Sequence, residues 1–141
     1  MSKENKIVVY NSSNYKFLPI KKIINYLNYV LKGEKKNNAV VNVVYVDKDE
    51  ILKLNNEYLQ HDYYTDVITF SLNEDDTKEI DGEIYICVDV AEEQAKEYKV
   101  SLSNELSRLA IHGLLHLCGY GDKTDEEQKL MRSLENKYLS K

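Results

Sequence analysis

Proline occurs once and glycine five times in 141 residues, so the chain has no Pro/Gly-rich linker that would divide it. Residues 1–141 read as one domain, long enough to bury a real core. No run of about 18 apolar residues exists, so no membrane-spanning helix is expected, nor a membrane as partner. The stretch Met1-Ser2-Lys3-Glu4-Asn5-Lys6 lacks the apolar centre of a signal peptide, so a cytoplasmic location is expected. Only Cys87 and Cys118 are present, and they form no C-x-x-C pair and no disulfide framework. Both read as small buried residues of a reducing compartment. Arginine is scarce, Arg108 and Arg132 being two of 19 basic residues. Against 24 acidic residues these leave a net charge of −5, which excludes a strongly basic coat for nucleic acid. A local basic cleft in an acidic remainder is still allowed.

The hydrophobic residues, 43% of the total, fall into strand and helix periods. Lys6 to Tyr10 reads as a strand, rich in branched and aromatic residues. Pro19 suits the first turn of a helix in which Ile20, Ile23, Ile24, Leu27 and Leu31 share one face. Ala39 to Val46 is apolar enough for a strand buried on both faces. Asp47 and Glu50 fit a capping box for a helix from Lys48 to Leu59, with Ile51, Leu54 and Tyr58 inward. A loop from His61 enters a buried strand at Val67 to Ser71, and Asn73 to Asp81 reads as a polar hairpin loop. Gly82 to Val88 alternates like a strand with one buried face. A polar helix from Asp89 to Tyr98 turns Ala91, Ala95 and Tyr98 inward. Ser101 or Ser103 caps the next helix, which from Leu106 to Cys118 is apolar on nearly every side and hence central and buried. Thr124 and Glu127 form a capping box for the last helix, with Leu130, Met131, Leu134 and Tyr138 inward. The order β-α-β-α-β-β-α-α-α predicts a single-domain α+β fold, its mixed sheet of about four strands packed around the central helix.

That helix carries the chemistry. His112 and His116 are four residues apart, which puts both rings on one face about 6 Å apart along the axis. Two imidazoles so placed can grip one metal ion. Gly119 ends the helix by taking the left-handed conformation of a C-terminal cap, and the chain then returns Asp122 as a third ligand. Two nitrogens, one carboxylate oxygen and an open position make a catalytic rather than a closed structural site. The ligand spacing is that of the metzincin proteases, but Gly113 stands where H-E-x-x-H peptidases have their general base. A metal hydrolase is expected, and peptide hydrolysis is not.

The stretch H-G-L-L-H-L-C-G-Y-G-D, His112 to Asp122, resembles the metal signature of the YbeY family of endoribonucleases, H-G-x-L-H-L-x-G-Y-D-H. Leu54, Asn55, Tyr58, Asp62, Thr65, Asp66, Val67 and Phe70 resemble that family's second signature, and Met131 and Glu135 its M-x-x-x-E. The third ligand, histidine in the family, falls on Asp122, and the family's arginine falls on Leu59.

The resemblance implies a zincin-like fold and metal-dependent cleavage of single-stranded rRNA at the 3′ end of the small ribosomal subunit's RNA, within ribosome maturation and quality control. Zn2+ is the metal implied, one per chain, with Fe, Ni or Mn compatible with the same donors. His112, His116 and Asp122 would be its ligands. Attack on phosphorus by activated water and attack by the substrate's 2′-hydroxyl both stay open. Arg108, one turn before His112, is either a buried salt partner or a contact to the scissile phosphate. Tyr63 and Tyr64, with His61, are candidates for stacking and binding RNA bases. By analogy with zincins, the strand from Gly82 is expected to pair with extended substrate. The alternatives are a ribosome-associated rRNA-binding factor with a mainly structural metal, which Leu59 favours, and a metallohydrolase of a non-RNA substrate.

Overall fold

The computed structural model describes residues 5–60, 65–72 and 80–140. Nine elements follow in the predicted order: β1 (Lys6–Asn11), α1 (Lys21–Gly33), β2 (Val40–Val46), α2 (Lys48–Leu59), β3 (Val67–Ser71), β4 (Asp81–Cys87), α3 (Val88–Tyr98), α4 (Leu102–Leu117) and α5 (Asp125–Leu139). The four strands make one mixed sheet in the order β1-β2-β4-β3. β1, β2 and β4 run parallel, and β3 runs antiparallel to β4. Both parallel connections pass through helices, as parallel pairing requires.

One face of the sheet carries the main core. Val41, Val43, Tyr45, Ile84 and Ile86 are fully buried there against α1, α4 and α5. α4 is the central element, with Leu106, Ala110, Ile111, Leu114 and Leu115 all at 0% exposure. The opposite face is covered mainly by α2, through Ile51 against Val46, Ile68 and Cys87, with Val90 of α3 at its edge. That cover is incomplete, so β2 is not buried on both faces as its sequence suggests: Val40 is exposed and Val44 half-buried.

α2 also lacks the predicted capping box. Asp47 accepts instead from the backbone N–H of Asn14, and Asp89 Oδ2 accepts from the N–H of Lys48 at 2.8 Å. Long-range partners have displaced the local pair. The capping box of α5 forms as read, from Thr124 and Glu127, and Ser101 caps α4. Four residues expected inside lie outside: Ile20, which precedes α1 as its N-cap, Tyr58, Tyr98 and Leu130. Tyr58 lies at the margin of the thinly covered face and meets Phe70 only edge-on. β4 is also not open to substrate as expected, because β2 and β3 occupy its two edges. The strand at the margin of the sheet on this side is β3. Among the described residues no helix is long and apolar enough to cross a membrane.

Candidate metal centre

α4 approaches the sheet at Gly113. A Cβ there would lie 2.8 Å from Ile84 Cγ2 and 3.1 Å from Thr69 Oγ1. The missing glutamate of the peptidase motif thus has a packing reason: a side chain at this position would enter the core face of β4. The close approach holds the adjoining His112 beside β3.

α4 ends in a Schellman turn. Gly119 has φ +107°. Its N–H donates to the His116 carbonyl at 3.0 Å, and the Tyr120 N–H donates to the Leu115 carbonyl at 3.1 Å. This reversal brings Asp122 back over the last turn of the helix. His112, His116 and Asp122 then form the one group of three potential metal-ligating side chains among the described residues. His116 Nε2 lies 3.1 Å from His112 Nε2 and 3.2 Å from Asp122 Oδ2, and His112 Nε2 lies 3.5 Å from that oxygen.

The outer nitrogens decide what these atoms can do. His112 Nδ1 is 2.7 Å from Glu135 Oε2, and His116 Nδ1 is 2.8 Å from the Tyr120 carbonyl. Both partners accept only, so each Nδ1 carries the hydrogen and each neutral ring presents a bare Nε2. Two lone pairs and a carboxylate oxygen therefore converge on one point, which is repulsive without a cation. A tetrahedral ion with ligand distances of about 2.0–2.2 Å needs ligand atoms about 3.3–3.6 Å apart, whereas octahedral neighbours would be about 2.8–3.1 Å apart. The separations of 3.1, 3.2 and 3.5 Å span the two ranges, so the three donors fit a divalent first-row ion.

A second layer holds the first. Glu135 sits on the inward face of α5, one turn from Met131 and Tyr138, and is 7% exposed. Arg108 Nη1 donates to its other oxygen at 2.8 Å, and Arg108 Nη2 donates to Asn136 Oδ1 at 2.8 Å. Arg108 thus fills the salt-partner role. Burial pulls the His112 pKa down, but the hydrogen bond and charge of Glu135 outweigh it and hold the ring above its ordinary value. Burial pushes Glu135 up, but His112 and Arg108 outweigh that and hold it low. On the His116 side, Glu34 accepts from the Tyr120 hydroxyl at 2.7 Å and from the Tyr138 hydroxyl with its other oxygen. It ties the loop that carries the Tyr120 carbonyl to α1 and α5. The Tyr120 phenol is pushed up to about 12, first by this hydrogen bond.

The roles of Glu34 and Glu135 were not read from the sequence. For Glu135 a signal existed, an acid falling on the apolar face of a helix; for Glu34 there was none. Tyr63, Tyr64 and His61 lie outside the described residues. Leu59, at the family's arginine position, lines a groove of about 700 Å3 together with His112, His116 and Asp122.

The YbeY family model, described as Endoribonuclease YbeY, matches residues 7–141. The chain belongs to the YbeY endoribonuclease family. An endoribonuclease YbeY of Flavobacterium psychrophilum is 42% identical over 116 residues, covering 82% of this chain and 81% of that protein. The YbeY of Azobacteroides pseudotrichonymphae is 38% identical over 95% of this chain and 96% of its own. The YbeY of Cytophaga hutchinsonii is 36% identical over 99% and 97%. The solution structure of a Thermotoga maritima protein superposes with a TM-score of 0.68 at 35% identity, covering 94% of this chain and 86% of that one. YbeY membership supports a nuclease, a hydrolase of the phosphodiester class, and the full-length matches extend that to the whole described fold.

Proposed function

We propose that this chain is a metal-dependent endoribonuclease that cuts single-stranded rRNA, at the 3′ end of the small-subunit RNA, during ribosome maturation and quality control in the cytoplasm. The observation that carries this reading is the convergence of two bare imidazole nitrogens and one carboxylate on the wall of an open groove. The groove, at about 700 Å3, is large enough for a nucleotide. Zinc suits the two imidazoles and the carboxylate, and iron, nickel or manganese share the donor set. A divalent ion held by His112, His116 and Asp122 supplies Lewis acidity at a phosphoryl oxygen and lowers the pKa of water. The helix-borne histidine pair is the feature that this site has in common with zincins.

The protein's own groups do the rest. Glu135 fixes the His112 tautomer by accepting its Nδ1 hydrogen, and the Tyr120 carbonyl does the same for His116. Lys123 lines the groove beside Asp122 and is the cation there that faces a substrate phosphate. It stands in for the family arginine that Leu59 replaces. Single-stranded RNA fits because its bases can be splayed away from one another and its backbone drawn into the groove.

The test is cleavage of a single-stranded RNA taken from the 3′ end of small-subunit rRNA, by the protein as prepared, after chelation, and as His116→Ala. Cleavage lost in both controls supports the reading. Equal cleavage in all three assigns the activity to a contaminant. The second reading, an rRNA-binding factor with a structural metal, is favoured by Leu59 in the groove. No cleavage with metal bound, together with ribosomal association, would establish it.

A further inference from the structure

Charge is unevenly shared along the chain. Residues 1–46 hold eight lysines and two acidic residues, a net +6. Residues 47–141 hold 11 basic and 22 acidic residues, a net −11. The fold gathers part of the first group on one element. α1 contains no acidic residue, and its solvent side presents Lys21, Lys22, Asn25, Asn28, Tyr29 and Lys32, all exposed. At about 100° per residue these six positions cover about a third of the helix circumference. They lie opposite the buried Ile23, Leu27, Val30 and Leu31. Lys21 and Lys32 fall on one line, about three turns and about 16 Å apart.

The protein does not neutralise this face itself. Neither Lys21 nor Lys32 has an ion-pair partner among the described residues. Lys22 Nζ donates to Ser103 Oγ at 2.8 Å, a neutral partner. The nearest acid in sequence is Glu34, and the Tyr120 and Tyr138 hydroxyls engage both of its carboxylate oxygens. Lys137 adds a cation at the border. It lies 5.2 Å from the centroid of the Tyr138 ring, which packs edge-on to Tyr29. A groove of about 510 Å3 on this side is lined by Lys21, Lys22, Asn25, Tyr26 and Tyr29, again without an acid.

These groups select a partner by charge and by type. Unpaired cations on one flank of an acidic protein complement a polyanion. Lysine, asparagine and tyrosine side chains hold the phosphate and sugar oxygens of nucleic acids. The exposed face of α1 has no aliphatic side chain to form the apolar centre that a protein partner would bury. Cations repeated along one line match a backbone, which also repeats, rather than a single base. The face is separate from the metal centre. Ser103, which Lys22 meets, lies in the first turn of α4, about 14 Å along the axis from His112 and about 20 Å from His116.

We infer that the exposed face of α1 is a docking surface for the sugar-phosphate backbone of folded RNA. The inference rests on the single-stranded RNA reading above: α1 holds the folded part of the substrate while its single-stranded end enters the metal groove. Two separate contacts on one RNA raise the local concentration of the end at the groove without any new contact there.

The test is equilibrium binding of three fluorescent RNAs: a short hairpin, the same hairpin with a single-stranded 3′ tail, and the tail alone. Chelated protein is used so that cleavage does not consume the probe. The tailed hairpin should bind about tenfold tighter than the tail. Lys21→Gln/Lys32→Gln should remove most of that gain. It should also lower the slope of log affinity against log salt by about two, one for each lost phosphate contact. Lys96→Gln/Lys99→Gln takes the same charge from the exposed end of α3. It should stay within about twofold of the parent, because charges beyond a Debye length from the bound backbone are screened. Zinc titration of the α1 variant should match the parent and so show that its fold and metal centre are intact.

Equal affinity of the two double variants for the tailed hairpin would overturn the inference, as would an unchanged salt slope. A polyglutamate peptide that competes with the hairpin at equal charge concentration would give the face to an acidic protein and overturn it as well. Hairpin binding that depends on Lys21 and Lys32, in a metal-loaded protein that does not cut the tail, would keep the docking surface and remove the nuclease reading. Cleavage of the tail with no gain from the hairpin would do the reverse.

Discussion

His112 and His116 lie one turn apart on α4, yet their outer nitrogens are held by opposite means. His112 is tethered by a charged side chain from another helix, 23 residues away. His116 is tethered by a neutral carbonyl four residues on, in the turn that ends its own helix. One half of the centre is therefore a product of tertiary docking, and the other is nearly a local property of the helix end. The first responds to charge and to the seating of α5, the second to backbone geometry.

The largest effect should come from removing either ring. His112→Ala or His116→Ala should lower zinc affinity at least about 100-fold, since two ligands remain. Calorimetric titration of chelated protein measures this, and a site that still binds with either ring gone would mean that the two do not share an ion. Next comes the tether of His112. Glu135→Ala should cost about 10- to 100-fold in metal affinity and lower Tm by leaving Arg108 without its ion pair. Glu135→Gln should fall between. If both variants titrate like the parent, the distinction between the two halves collapses.

Asp122 sharpens the comparison from the ligand side. Two neutral rings and a carboxylate leave a divalent site less positive than three rings would, so it should acidify water less. The activity optimum should move to lower pH, by about one unit, in Asp122→His. An unshifted profile, or one that moves up, rejects the charge argument.

The metal-free protein gives a fourth test. The His112 pKa is raised in the folded state, so its contribution is complete below about pH 6.5 and is lost as pH rises through the folded value. The Glu135 pKa is lowered, so its contribution is complete above about pH 4.5 and is lost as pH falls through the folded value. Chelated protein should thus show a Tm maximum between about pH 4.5 and 6.5, and Glu135→Gln should flatten it. The smallest effect belongs to Glu34. Because it supports His116 only through the position of a backbone carbonyl, Glu34→Gln should change zinc affinity by no more than about twofold while lowering Tm. A loss as large as that of Glu135→Ala would show that the turn is not self-sufficient.

Much of this was legible in the sequence. All nine elements follow from hydrophobic period and capping residues, which act within a few positions. The grouping of His112, His116 and Asp122 was legible for the same reason, since a helix turn and a glycine reversal set it within eleven residues. What was not legible is long-range. The Asp47 cap was displaced by Asn14 and Asp89, 33 and 41 residues from their partners. Tyr58 and Tyr98 occupy helical positions that look inward, but α2 and α3 end at the margin of the core and leave both rings exposed. Glu34 reaches the Tyr120 hydroxyl across 86 positions, and no local pattern encodes that.

The acid that fixes His112 has a consequence in time as well as in space. A nascent chain brings both histidines and Asp122 out of the ribosome before it brings Glu135. Until α5 is made and seated, His112 has no tether and Arg108 no counter-ion. The centre is therefore completed late in synthesis, and the first complete copy of the site belongs to a chain whose last helix has already folded back onto the core.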